Sequence, residues 1–250
     1  MKFSANLGFL WTECPLPDAI RRAKTAGFDA VECHFPYDQP IKSVQEALRD
    51  TGLPMLGLNT VKGQGLGGLA ALPDRVDEAR GAIDQAINYG HALGAQNVHV
   101  MAGIAEGVAA HQTFLENLAY AADRAKAQHM QVVIEPLNAF DVPGYFLNKI
   151  SQAIDIINEL SISNIRLMFD CYHVGRTEGD ILAAFDSARE YIGHIQFAGV
   201  PDRGRPDQGK VDYREIFKHI EASGWALPLG AEYKVSGDTE ASLGWMTSLS

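Results

Sequence analysis

The chain has 250 residues, of which 46% are hydrophobic, 9% aromatic and 21% charged, an ordinary globular composition. Its 21 basic and 31 acidic residues give a formal charge of −10, which argues against a nucleic-acid partner, because such proteins show a basic face. A small anionic substrate needs only a local positive pocket, so it stays open.

Strand-like and helix-like segments alternate along the whole chain. Lys2–Asn6 reads as a first strand, not a signal peptide, and Pro17–Ala26 as an amphipathic helix stopped by Gly27. Ala30–His34 is the second strand, followed by a helix over Ile41–Thr51 that Gly52 stops. Pro54–Asn59 is the third strand. A long helix over Pro73–Leu93 then has proline in its first turn and Gly94 after its end, the asymmetry helices favour. Asn97–Met101 and the helix Val108–Gln128 follow, then the strand Gln131–Leu137 and a helix from about Ser151 to Leu160. Ile165–Cys171 is the sixth strand, Ile181–Tyr191 a helix, and His194–Ala198 the seventh strand. Tyr213–Ser223 is a helix stopped by Gly224, and Leu229–Tyr233 is the eighth strand. Only Asp238–Ser250 is left for the last helix, which must be short.

Eight strands alternating with helices indicate a parallel sheet, and that number indicates closure. The expected architecture is α/β, a single (β/α)8 TIM barrel over residues 1–250. No linker or low-complexity run points to a second domain. No stretch approaches the roughly 18 apolar residues that cross a bilayer, so no membrane partner is expected. Cys14, Cys33 and Cys171 are widely spaced with no CxxC, which fits a reducing, cytoplasmic location better than a disulfide framework. Cys171 reads as a small buried hydrophobe on the strand face opposite Asp170. Association into a homo-oligomer is left open.

Gly63-Gln64-Gly65-Leu66-Gly67-Gly68 formally contains GxGxxG. It follows the third strand, and the next helix starts only near Pro73, so the dinucleotide fingerprint lacks its context. A mobile loop over the barrel mouth is the expectation. No GxSxG elbow, HExxH helix or Walker loop occurs.

Strands five to eight each bring one oxygen side chain to their end: Glu135, Asp170, Gln196 and Glu232. In a parallel barrel equivalent strand ends converge on one mouth, where active sites of this architecture lie. Three carboxylates gathered there repel one another unless a cation sits between them. An all-oxygen set favours Mg²⁺ or Mn²⁺ over Zn²⁺, and it would leave two octahedral positions for an α-hydroxycarbonyl substrate. The bland reading of each acid alone is a cap or an ion-pair partner.

His173, three residues beyond Asp170, is expected to face the pocket as a hydrogen-bond donor or proton relay, with a partner orienting Asp170 as the alternative. His34 is placed to line the mouth, and His194 and His99 to sit inside the barrel. Arg203, Arg205 and Lys234 lie beyond strands seven and eight, and one of them is expected to contact a substrate carboxylate.

The segments Phe3-Ser4-Ala5-Asn6-Leu7, Phe35-Pro36-Tyr37, Ile134-Glu135-Pro136-Leu137-Asn138, Asp170-Cys171-Tyr172-His173, Gly193-His194-Ile195-Gln196 and Gly230-Ala231-Glu232-Tyr233-Lys234 together carry a resemblance. The chain resembles the hydroxypyruvate isomerase family, within the xylose isomerase-like barrels, from end to end. The resemblance implies that Glu135 and Glu232 are the catalytic acid/base pair, and that Glu135, Asp170, Gln196 and Glu232 hold a divalent ion. Related sugar epimerases usually offer histidine where Gln196 stands. Arg205, and Val235 after Lys234, depart from the usual pattern and bear on distal substrate contacts. Some members act on 2-oxo-tetronates, a branch toward which Met101-Ala102-Gly103 and Val200-Pro201-Asp202-Arg203 lean.

The implied substrate is a small sugar acid. The implied reaction interconverts a 2-oxo-3-hydroxy acid with its 2-hydroxy-3-oxo isomer, such as hydroxypyruvate with tartronate semialdehyde, through an enediolate. A ketose 3-epimerase, a zinc-dependent phosphodiester-cleaving barrel and a non-catalytic sugar-acid binding barrel are the alternatives.

Overall fold

The computed structural model describes residues 1–249; Ser250, at the end of the expected last helix, lies outside the described residues. The strands are β1 (Phe3–Asn6), β2 (Ala30–Glu32), β3 (Gly57–Asn59), β4 (Asn97–His99), β5 (Gln131–Ile134), β6 (Ile165–Asp170), β7 (Ile192–Phe197) and β8 (Leu229–Ala231). The helices are α1 (Leu16–Thr25), α2 (Ile41–Thr51), α3 (Val76–Leu93), α4 (Gly107–Lys126), α5 (Ile150–Leu160), α6 (Cys171–Thr177), α7 (Ile181–Ala188), α8 (Tyr213–Ala222) and α9 (Trp245–Ser248).

All eight strands lie in one sheet of order β2-β1-β8-β7-β6-β5-β4-β3, with every ladder parallel. Between β2 and β3 the seam closes more sparsely. There Val31 bridges Met55, and the Cys33 N–H donates to the Gly57 carbonyl at 3.1 Å. The sheet is therefore the expected TIM barrel, and strand ends following β5 to β8 share one mouth.

Local chemistry explains the helix ends. Gly52 and Gly94 close α2 and α3 with φ of +68° and +67°, where a Cβ would strain the backbone. The last helix is a single turn, as its short allotment of residues demanded, but one residue makes it adhere. Trp245 is fully buried, its ring 5.0 Å from that of Phe3 and 5.3 Å from that of Phe197, and its Nε1–H donates to the Tyr233 hydroxyl at 3.1 Å. Burying such a side chain contributes roughly 1.5–3 kcal/mol, which helps so short a segment to stay on the barrel.

One helix was not foreseen. α6 starts directly after β6, and Asp170 is at once the last strand residue and its N-cap, with Oδ1 accepting the Tyr172 N–H at 2.8 Å. Cys171 is fully buried as expected, but it opens this helix and does not occupy the opposite face of a strand. The sharp turn brings His173 back toward the mouth. All three cysteines are free thiols.

The barrel interior is unusually polar. Ser4, Asn6, Glu32, His99, His194 and Gln196 are all buried there, and outward-facing residues of the same strands, such as Phe3, Ala5 and Phe197, form the apolar layer beneath the helices. No described helix is long and apolar enough to cross a membrane.

Candidate active site

A cleft opens at the mouth, lined in part by Glu135, Glu232, His34, His99, His173 and Arg203. Glu135 extends just beyond β5 and Glu232 just beyond β8, and both are 5% exposed. Asp170, 2% exposed, is paired in register with Gln196 on β7. Ligand atoms of Glu135, Asp170 and His173 lie within 4.8 Å of one another.

The acids are not equivalent. Glu232 is fully engaged: His34 Nε2 lies 2.7 Å from one oxygen, and Arg203 donates to the other at 2.7 Å. Burial alone would raise its pKa, but the Arg203 charge and the His34 hydrogen bond outweigh that and hold it well below the usual carboxylate range. Glu135 is the reverse case. Burial first, then the charges of Glu232 and Asp170, push its pKa well up. Asp170 is pushed up to about 7 by burial, with Arg203 opposing. Arg203 Nη2 lies 3.5 Å from Asp170 Oδ2, so one guanidinium serves two of the three carboxylates.

Arg203 is held in place by its surroundings. The guanidinium carbon sits 4.9 Å from the centre of the Phe9 ring and 5.0 Å from that of Tyr172. Its backbone carbonyl accepts the Lys234 N–H at 2.7 Å. This counter-charge comes from the loop after β7, which explains how buried carboxylates persist although the strands themselves carry no basic partner.

His173 and His99 are neutral, because burial pulls both pKa values down to about 3. The His99 Nδ1 to Glu135 contact of 3.5 Å is therefore no ion pair. His173 Nδ1 accepts the Asn138 main-chain N–H at 3.0 Å. In a neutral imidazole the proton must then reside on Nε2, which faces Glu135 and Asp170 at 3.8 and 3.7 Å. That nitrogen is a donor and not a free lone pair, so His173 is poised to bind an oxygen rather than a metal.

Among the buried oxygens without a hydrogen-bond partner are three offered by the strand-end residues: Glu135 Oε1, Asp170 Oδ2 and Gln196 Oε1. Orphaned buried acceptors are costly, and three hard oxygens beside an excess of negative charge suit a divalent cation. The residues present therefore fit a metal. Glu232 has no orphan oxygen, although a carboxylate oxygen already bonded to one donor retains a second lone pair.

Arg205 and Lys234 do not line the cleft. Arg205 makes a forked pair with Asp207, at 3.0 and 2.6 Å, which commits its guanidinium elsewhere. Lys234 follows the end of β8, where strand alternation no longer directs side chains inward, and it is exposed. Phe9, Asn59, Lys62, Met101, Leu137 and Val142 complete the lining of the site. Lys62, from the loop after β3, adds the positive charge that Arg205 and Lys234 do not. Gly67 of the glycine-rich stretch also lines the cleft, so this segment borders the mouth. Gly68 there leaves no room for a side chain, since a Cβ would lie 2.5 Å from the Met101 carbonyl oxygen.

The family model of the xylose isomerase-like TIM barrel matches residues 20–249. The chain belongs to the xylose isomerase-like TIM-barrel family. Within it, the chain is 39% identical to a 2-oxo-tetronate isomerase of Cupriavidus necator, covering 98% of this chain and 97% of that one. It is 35% identical to a hydroxypyruvate isomerase of Escherichia coli, over 98% of each chain. A crystal structure of an AP endonuclease, family 2, from Brucella melitensis superposes with a TM-score of 0.94 at 34% identity, covering 99% of this chain and 98% of that one.

Proposed function

We propose that the protein is an isomerase of small hydroxy-oxo acids, interconverting a 2-oxo-3-hydroxy acid with its 2-hydroxy-3-oxo isomer. Hydroxypyruvate and 2-oxo-tetronates are the substrate types, in keeping with the activities named for its full-length relatives. The observation that carries the reading is the pair of buried glutamates, Glu135 and Glu232, lining one cleft and close enough for the Glu232 charge to raise the Glu135 pKa.

The isomerisation needs a proton taken from the hydroxyl-bearing carbon and one delivered to the former carbonyl carbon, with the hydroxyl proton passing to the former carbonyl oxygen. Two carboxyl groups facing one substrate can perform the carbon transfers through an enediolate. His173 Nε2–H is the donor available to a substrate oxygen. Arg203, already shared by Asp170 and Glu232, stabilises negative charge developing beside them. Lys62 offers a less committed cation for the substrate carboxylate. Phe9, Leu137 and Val142 limit water at the reacting carbons.

Glu135, Asp170, Gln196 and Glu232 would hold a divalent ion, Mg²⁺ or Mn²⁺ by the hardness of their oxygens. When bound, such an ion polarises a carbonyl and acidifies the adjacent C–H.

Side-by-side turnover of hydroxypyruvate, a 2-oxo-tetronate and a neutral ketose tests the reading. A charge-assisted contact contributes about 1.5–3 kcal/mol, so kcat/KM should favour the acids by roughly 10- to 100-fold. Preference for the ketose would support a 3-epimerase instead. Tight binding of the acid without turnover would make the barrel a binding protein.

A further inference from the structure

We infer that Glu32 is a positioning residue of the candidate metal centre, fixing which end of the Gln196 amide is free to act as a ligand. The inference rests on the metal site proposed above, but it concerns a residue with no sequence motif to mark it.

Glu32 ends β2 and is 3% exposed. Gln196 reaches it from β7, donating Nε2–H to Oε1 at 2.7 Å. Asn6 on β1 donates to the same oxygen at 3.1 Å, and His194 Nε2 lies 2.9 Å from Oε2. These groups cross the barrel to meet because β8 carries Gly230 between them. A Cβ there would stand 2.5 Å from Glu32 Oε1 and 2.9 Å from Gln196 Cγ.

A glutamine amide has two ends of nearly equal shape and opposite chemistry. The oxygen can ligate a hard cation and the NH₂ cannot. A carboxylate accepts and never donates, so Glu32 admits only the NH₂ end of Gln196. The opposite end is then necessarily Oε1, the atom left buried without a partner in register with Asp170. The Gln196 amide needs that choice made for it, and Glu32 makes it.

The substitution Glu32→Gln separates this role from simple packing. It keeps the size of the side chain but provides both a donor and an acceptor, so Gln196 can turn over and present NH₂ to the ion. Mn²⁺ binding to metal-stripped protein, read by the EPR signal of free Mn²⁺, should weaken about 10- to 100-fold, the usual consequence of losing a residue that orients a ligand. His194→Gln removes the partner of the other Glu32 oxygen and leaves the Gln196 bond intact. It should retain most of the Mn²⁺ affinity.

Unchanged Mn²⁺ affinity in Glu32→Gln, or equal weakening in both variants, would overturn the inference. Failure of the unsubstituted protein to bind Mn²⁺ would instead remove the metal site itself. Should Glu32→Gln not fold, the unsubstituted protein decides the matter by NMR. Mg²⁺ should shift the Gln196 side-chain carbonyl carbon and leave its Nε2 protons hydrogen-bonded; a Mg²⁺ response confined to the NH₂ group contradicts the assignment.

Discussion

Glu32, inside the barrel, accepts hydrogen bonds from Asn6, His194 and Gln196, whereas Glu135, at the mouth, leaves Oε1 without a hydrogen-bond partner. Both side chains are buried, on the same kind of scaffold, yet one is satisfied and the other is not. His194 shows the same contrast with His173. Burial works to lower the pKa of each; the Glu32 carboxylate overcomes this at His194 and raises its pKa, while His173, beside Arg203, falls to about 3. Buried polar groups completed by the protein serve the fold, and those left incomplete are poised for something the protein must bind. The layer around Glu32 is finished; the layer around Glu135 awaits charge and substrate.

Substitution at each layer can break that contrast. Glu135→Gln should reduce kcat on the order of 10³-fold, the middle of the range for an acid/base group. It should leave the denaturant midpoint at or above that of the parent, because it removes a destabilised acid. Glu32→Gln replaces a carboxylate that accepts from Asn6, His194 and Gln196 with an amide that has one acceptor oxygen, and should instead lower stability by roughly 1–3 kcal/mol for a buried donor left unsatisfied. Equal losses of stability in the two variants would erase the distinction.

Arg203→Met strips the counter-charge from Glu232 and Asp170. The metal-free protein should lose roughly 3–5 kcal/mol in urea titration, and Mn²⁺ should restore part of it. No recovery with Mn²⁺ would mean that cation and guanidinium do not serve the same acids.

The pH dependence of the metal-free protein sharpens the comparison within the mouth. His99 is held near 3 in the folded state, from an ordinary value of 6.5, so the unfolded chain alone takes up its proton in that window. Its contribution destabilises progressively as pH falls from 6.5 to 3, and His99→Gln should remove that part of the acid sensitivity. Asp170 has the opposite sign. Its pKa rises from 3.8 to about 7, so the folded state holds the extra proton, and stability from this group is gained as pH falls from 7 to 3.8. Stability profiles of His99→Gln and Asp170→Asn should therefore depart from the parent in opposite directions. Departures of the same sign would contradict the assigned environments.

The smallest effect is expected at the rim. Lys62→Met should raise KM for an acid substrate about 10-fold, the loss of one charged contact, with kcat nearly unchanged. A neutral ketose should not register the change.

Much of this was legible in the chain because periodicity and glycine punctuation are local. Gly52 and Gly94 marked helix ends, and oxygen side chains at equivalent strand ends marked the mouth. Glu135, Asp170, Glu232, His173 and His34 are placed where the pattern put them. α6 escaped because Asp170 has two roles in one residue, and seven residues containing Gly175 are too short to show a helical period. Arg205 and Lys234 were drawn in by nearness along the chain, yet a loop side chain goes to its best partner, which for Arg205 is Asp207. Lys62 and Glu32 had no motif at all. The role of Glu32 comes from Gln196, 164 positions away, and that of Lys62 from Glu135, Arg203 and Glu232 across the mouth, relations that only the closed barrel creates.

Proton transfer by the two mouth glutamates is tested most directly in D₂O. The Mn²⁺- or Mg²⁺-loaded protein is incubated with hydroxypyruvate and a 2-oxo-tetronate, and NMR follows solvent deuterium entering the carbon-bound positions. The parent should exchange and isomerise the acid, and Glu135→Gln, with its fold intact, should do neither at a comparable rate. Deuterium entry at the parental rate in Glu135→Gln, or isomerisation by the parent with no solvent exchange even in recovered substrate and product, would contradict the account.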